Sequence, residues 1–169
     1  FGAVADGKTL NTSAIARAIA DCAEKGGGRV VVPPGVWLTG AIHLKSNIEL
    51  HLADGAELRF STNPADYLPP VFVRWAGFEC WNYSPLIYAR DSVNIAITGR
   101  GKLEGQGKPW WGWVKEETQT SRKLYDMVLA GVDVKDRIFA DEKKPLRPQF
   151  VQPINCRNVL IEGISFTSG

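Results

Sequence analysis

The sequence predicts an all-β solenoid: a stack of short-stranded coils fronted by a single helix. Three observations predict it. An asparagine-led phrase recurs as Asn47-Ile48-Glu49-Leu50, Asn94-Ile95-Ala96-Ile97 and Asn158-Val159-Leu160-Ile161. Each phrase sets two apolar residues two positions apart, so both fall on one face of a strand. From Arg29 onward the apolar runs are short, and turn residues break them too often to leave room for helical crossovers. Ahead of these runs lies one stretch with helical periodicity.

In that stretch Ile15, Ala18, Ile19, Cys22 and Ala23 follow the spacing of a buried helical stripe. Asn11, Thr12 and Ser13 carry side-chain oxygens able to cap its start. Gly26, Gly27 and Gly28 end it, since glycine reaches the left-handed conformation of a helix exit. The triple glycine is no phosphate loop, because it follows a helix and lacks the P-loop lysine.

"RVVVPPG" reads as a strand stopped by Pro33 and Pro34, which cannot donate to a ladder. "VWLTG", "AIHL" and "NIELHL" follow as further short strands. Strands this short leave a sandwich or a solenoid, and the recurring phrase decides for the solenoid. After each phrase come a glycine and further apolar residues: Ala56 and Leu58, then Leu103, then Ile164 and Phe166. An inward pair, a corner and another inward residue make one turn of a stacked coil. Asparagine at that corner bonds local backbone, or the asparagine of the next coil in a ladder. The phrases begin 47 and 64 residues apart, so long insertions lie between them.

The insertions are expected at 61–85 and 106–149, with the helix at 12–25 as a cap and residues 1–169 as one domain. Loops of this length are often functional. They hold Trp75, Trp81, Trp110, Trp111 and Trp113, five of the six tryptophans. "VKEETQTSRKLYDMV" reads as a short helix within the second.

Composition excludes several classes. A net charge of +2 without a basic run does not point to nucleic acid, and no apolar run reaches membrane-spanning length. Cys22, Cys80 and Cys156 lie far apart, form no CxxC pair and predict no zinc site.

The opening "FGAVADGKTLNTSAIARAIADCAEKGGGRVVVPPGVW" resembles the N-terminal cap of right-handed parallel β-helix pectin enzymes, the pectin-lyase-like solenoids. "LTGAIHLKSNIELHLADGAELRFS" and "YSPLIYARDSVNIAITGRGKLEGQG" are similar to glycoside hydrolase family 28, the polygalacturonases, and "RPQFVQPINCRNVLIEGISFTSG" to their bacterial exo-type branch. The resemblance implies the N-terminal part of an enzyme that hydrolyses α-1,4-galacturonosyl linkages of pectin with inversion. It also implies a secreted or periplasmic location and no cofactor.

The family's Asn-Thr-Asp, Asp-Asp, Gly-His-Gly and Arg-x-Lys motifs are not in this chain. Asn11-Thr12 is followed by Ser13, His43 and His51 lack flanking glycines, and Arg137-Ile138 is followed by Phe139. An inverting hydrolase needs two carboxyl groups about 6.5–9.5 Å apart. Glu49 and Glu162 fall on outward strand positions, with Ala96 between them in the middle repeat, so no acids stack. No catalytic or metal-binding residue is therefore assigned here, and the segment alone is expected to be inactive. The chain closes at "FTSG" just after Phe166, so the solenoid is expected to be incomplete at its C-terminal end.

Candidate substrate contacts are Trp81, Asn82, Tyr83, Trp110, Trp111 and Arg147. Aromatic faces stack on sugar rings, asparagine bonds hydroxyls, and the arginine fork pairs with a uronate carboxylate. Arg74 and Lys108 stand behind Arg147, and His43 reads as a packing residue. Pectin or an oligogalacturonide is the expected partner, with nucleic acid and membrane excluded. Long loops closing a groove favour attack from a chain end. A calcium-dependent pectate-lyase-like enzyme and a non-catalytic carbohydrate-binding or adhesin β-helix are the alternatives.

Overall fold

Three stacked parallel sheets carry the chain, in a computed structural model that describes residues 1–141, 143 and 145–169. Helix α1 (Thr12–Glu24) comes first, and the first coil follows as β1 (Gly28–Val32), β2 (Gly35–Thr39) and β3 (Ile42–His43). The second coil opens with β4 (Ile48–Leu52) and β5 (Ala56–Phe60). An insertion holding β6 (Val71–Trp75) and β7 (Phe78–Asn82) then intervenes before β8 (Ile87–Arg90) closes the coil. The third runs through β9 (Val93–Gly99) and β10 (Lys102–Glu104), an insertion with helix α2 (Val114–Leu129), and β11 (Val151–Ile154). β12 (Arg157–Glu162) and β13 (Ser165–Thr167) begin a fourth.

Successive coils pair in parallel, giving sheets β1-β4-β9-β12, β2-β5-β10-β13 and β3-β8-β11. This is a parallel β-helix. Its register follows the asparagine phrases: Leu50 lies opposite Ile97, and Val159 and Ile161 lie opposite Ile95 and Ile97. In the second sheet Leu103 stands between Leu58 and Phe166. The inward residues form one aliphatic column, with Ile48, Leu50, Leu52, Leu58 and Leu103 fully buried. Each such side chain removed from water contributes about 1.5–3 kcal/mol.

The asparagines form the ladder that the repeat predicts. Asn94 Nδ2 donates to Asn47 Oδ1 at 2.8 Å, and Asn158 Nδ2 donates to Asn94 Oδ1 at 2.8 Å. All three have left-handed backbones, with φ of 63°, 54° and 56°. Asparagine tolerates that conformation better than other side-chain-bearing residues and bonds along the stack. At the next corner Gly99 has φ 110°, and a Cβ there would strike the Leu52 carbonyl oxygen of the coil before. Only glycine lets consecutive coils approach so closely.

Helix α1 presses Ile15 and Ile19 into the core, with Cys22 and Ala23 partly buried beside them. Its N-cap is Asn11, but the Asn11 side chain does not cap. Instead Asn11 is buried, accepts from Val4 N at 2.7 Å and donates to the carbonyls of Val4, Thr9 and Leu38. The asparagine thus ties the N-terminal segment to the first coil, a task that outweighs one cap bond.

Both insertions leave from the same corner, between the second and third sheets, on adjacent coils. They therefore stack on each other. The first is an antiparallel hairpin, β6 with β7, turning at Ala76-Gly77. It folds back over the third sheet, where Tyr88 Oη donates to the Phe72 carbonyl at 2.7 Å and Arg90 sits 4.4 Å from the Phe72 ring centroid. Val73 and Cys80 of the hairpin join Leu124, Phe139 and Leu146 in a second small core outside the β-helix.

Candidate functional site

Because the insertions stack, their aromatic residues meet. Tyr67 and Tyr83 of the first insertion face Trp110 and Trp113 of the second, with ring centroids 5.6 Å (Tyr67–Trp110) and 5.7 Å (Tyr83–Trp113) apart, and Trp110 meets Trp113 edge-on at 4.9 Å. Beside this cluster opens a cleft of about 410 Å³. Trp75, Trp110, Trp111, Arg147, Gln149 and Phe150 are among its walls.

The six residues singled out in the sequence divide into two groups. Trp110, Trp111 and Arg147 line the cleft. Trp110 is 8% exposed, whereas Trp111 is 59% exposed. Trp81, Asn82 and Tyr83 lie outside it. Trp81 packs edge-on against Phe72, and its backbone bonds Arg137 and Phe139. Asn82 is fully buried and donates from Nδ2 to the Leu146 carbonyl at 2.9 Å, while Tyr83 is buried against Trp113. These three join the insertions to each other, Trp81 through its backbone, Asn82 through the Leu146 carbonyl and Tyr83 through the Trp113 ring.

Arg147 does not stand free in the cleft. Its Nε donates to Glu117 Oε2 at 2.6 Å, its Nη2 to Oε1 at 3.1 Å, and its backbone N–H to Oε2 at 3.1 Å. The Glu117 hydrogen bonds raise the guanidinium above its ordinary pKa. Glu117, the carboxylate partner on α2, carries no sequence signal and lies 30 residues upstream. Of the two cations ranked behind Arg147, Arg74 pairs with Glu79 at 3.4 Å, and exposed Lys108 lines a separate hollow beside the cleft.

Glu117 is the one carboxylate among the described cleft residues, and Arg147 occupies it. The cleft therefore offers aromatic and hydrogen-bonding surface but no acid–base pair. The acids of the first sheet do not supply one either. Glu49 lies opposite Ala96, and Glu162 lies opposite Thr98. They occupy different rungs, because Glu49 follows its phrase-leading asparagine by two residues and Glu162 follows its own by four. Glu49 accepts from Arg29 and Thr98, and these bonds hold its carboxyl below the ordinary range.

His43 is equally committed. Its Nε2 lies 2.9 Å from Ser84 Oγ, and Ser84 gives its own proton to the Pro85 carbonyl. Ser84 must then accept from the imidazole, so the pair is not a base and its nucleophile. Among the described residues no group of three or more metal-ligating side chains comes together, and no helix is long and apolar enough to cross a membrane.

No family model matches the chain. Known proteins do. The chain is 31% identical over 98% of its length to a Vitis vinifera protein named "Probable polygalacturonase", and spans 35% of that protein. It is 41% identical over 63% of its length to the Exo-poly-alpha-D-galacturonosidase of Dickeya chrysanthemi, spanning 19% of that protein. Its fold superposes on a hyperthermoactive exopolygalacturonase from Thermotoga maritima with a TM-score of 0.92 and 44% identity, covering 98% of this chain and 40% of that one. A family 28 exopolygalacturonase from Yersinia enterocolitica matches with a TM-score of 0.68 and 29% identity, over 98% of this chain and 33% of that one. The chain thus spans about a third of the curated grapevine relative. In fold and in sequence the chain is thus similar to bacterial exopolygalacturonases, one of them named for family 28.

Proposed function

We propose that this chain is the wall-forming part of a pectin-cleaving glycoside hydrolase, which removes galacturonate from chain ends by inverting hydrolysis of α-1,4 linkages. The observation that carries the reading is the cleft between two insertions that leave the same corner of adjacent coils. It is aromatic on one side and walled by stacked loops. Walls of this kind block passage of a polymer and favour a chain end. The relatives named for exo-acting activity support the same direction. The acid and the base belong to the whole protein beyond these residues, since the cleft holds one carboxylate and it is already paired.

Within the cleft Trp111 supplies a stacking face, Trp110 the small exposed part of its ring, and Arg147, whose Nε and Nη2 are given to Glu117, its remaining Nη1 for a uronate carboxylate. Trp81, Asn82 and Tyr83 act on substrate through the position of the second insertion. In this reading the β-helix is right-handed and α1 is its cap. The enzyme works outside the cytoplasm, where its polymer lies.

Product analysis of the full-length protein on polygalacturonate tests the proposal. Expected are small saturated galacturonides released while the viscosity of the polymer falls slowly. Rapid loss of viscosity would overturn exo action. An unsaturated product absorbing in the ultraviolet would identify a lyase, and binding without any cleavage a carbohydrate-binding module.

A further inference from the structure

The segment from Glu104 to Pro109 is a wall with two faces. Gly105 and Gly107 look into the cleft, while Glu104, Gln106 and Lys108 line a second hollow of about 420 Å³ over the outward face of the second sheet. Glu57, Arg59 and Lys102 complete much of that hollow.

Its acids are fully committed. Glu57 Oε2 takes Lys102 Nζ at 2.6 Å, and Oε1 takes Arg59 Nη2 at 2.7 Å. Together Lys102 and Arg59 outweigh the opposing effect of partial burial and hold that carboxyl below its ordinary range. Glu104 Oε2 accepts from Thr167 Oγ1 at 2.8 Å, and Oε1 from the Gln106 backbone N–H at 3.0 Å. Gln106 is also occupied, since its Nε2 donates to the Phe60 carbonyl at 2.7 Å. Lys108 differs. It is exposed and has no ion pair or hydrogen bond among the described residues. Three cations thus face two saturated carboxylates, and the surplus positive charge rests on Lys108.

The geometry points to a second anion-binding position at Lys108, which takes the carboxylate of a further uronate residue on a chain whose end occupies the cleft. This inference rests on the reading of the cleft as an oligogalacturonide site. A polyuronate carries one carboxylate per sugar, so a chain crossing the Glu104–Pro109 wall brings a second carboxylate to a free ammonium. Lys102 and Arg59 are near, but Glu57 already holds both. An ammonium on a flexible stem meets the carboxylate as a point charge and loses strength in salt.

The test compares the full-length protein with its Lys108→Ala and Lys108→Arg variants, using a short and a longer oligogalacturonide and the methyl-esterified form of the longer one. Expected is a dissociation constant about threefold to tenfold higher for Lys108→Ala with the longer acid, and little change with the short one. Lys108→Arg restores the affinity, and the methyl ester shows no difference between the proteins. Added salt narrows the gap. Equal affinity of wild type and Lys108→Ala for the longer acid overturns the Lys108 assignment alone. A wild-type protein that binds none of the galacturonides overturns both this position and the reading of the cleft.

Discussion

Arg147 encloses the Glu117 carboxylate with three N–H groups, two from its guanidinium and one from its own backbone. The pair clamps helix α2 to the point where the chain returns to the third coil. The Glu117 side chain is 10% exposed, so solvent does little to screen it. Replacing Glu117 with alanine should destabilise the protein by about 1.5–3 kcal/mol, the range for hydrogen bonds to charged groups. Chemical denaturation of Glu117→Ala, Arg147→Ala and the double variant measures it. Additive losses would show that the two residues do not act as a pair.

Asn94 is the middle rung of the asparagine ladder, donating to Asn47 and accepting from Asn158. Substitution removes both bonds, and alanine must also hold a φ of 54°. Asn94→Ala should therefore lose about 1 kcal/mol more than Asn94→Gly, which adopts that conformation without strain. Equal losses in thermal unfolding would mean that the left-handed backbone contributes nothing at this corner.

These rungs explain why the fold is legible in sequence. Asparagine followed by apolar residues two apart is a local pattern, and stacking simply repeats it. The same holds for Gly99, whose position follows from the close approach of coils. The insertions are harder to read. The β6–β7 hairpin turns at Ala76-Gly77, with φ of 47° and 90°, and Ala-Gly is a far weaker turn signal than Asn-Gly. Without the hairpin, Trp81, Asn82 and Tyr83 look like an exposed aromatic loop. Only the antiparallel pairing shows Asn82 and Tyr83 buried beneath the second insertion. Arg147 likewise looks free until the helix carrying Glu117 is folded beside it.

Trp110 and Trp111 are adjacent but should separate in experiment. Trp110 is packed between Tyr67 and Trp113, so Trp110→Ala should cost about 3–5 kcal/mol of stability. Trp111 is largely exposed, and Trp111→Ala should leave thermal stability within about 0.5 kcal/mol of wild type while weakening oligogalacturonide binding. Calorimetric unfolding alongside ligand titration checks both. Unchanged binding by Trp111→Ala would remove that ring from the site.

Asp6 should make the N-terminal segment sensitive to acid. Its carboxylate accepts from the backbone and side chain of Thr9 and from the backbone of Lys8, which lowers its pKa to about 2 from 3.8. A depressed carboxyl stabilises the fold above its ordinary value, and that contribution disappears as pH falls through about 2. Amide exchange at Lys8 and Thr9 should accelerate between those two values. In Asp6→Asn the exchange, corrected for its intrinsic pH dependence, should show no such step.

The three thiols should differ in reactivity. Cys80 is fully buried in the small core between hairpin and helix α2, and burial pushes its thiol up to about 12. Cys22 and Cys156 are only partly covered. Alkylation of the native protein at pH 8 should modify Cys22 and Cys156 well before Cys80, with labelled peptides identified by mass spectrometry. Early labelling of Cys80 would show that the small core opens independently of the β-helix.

Placing both insertions at one corner has a consequence for how such a molecule can diversify. The corner between the third and first sheets, where the asparagines stack, sets the alignment of every coil and tolerates little change. Between the second and third sheets the backbone can leave and return without disturbing that alignment. New recognition surfaces can thus be grafted there, one per coil, on a scaffold whose periodicity stays constant.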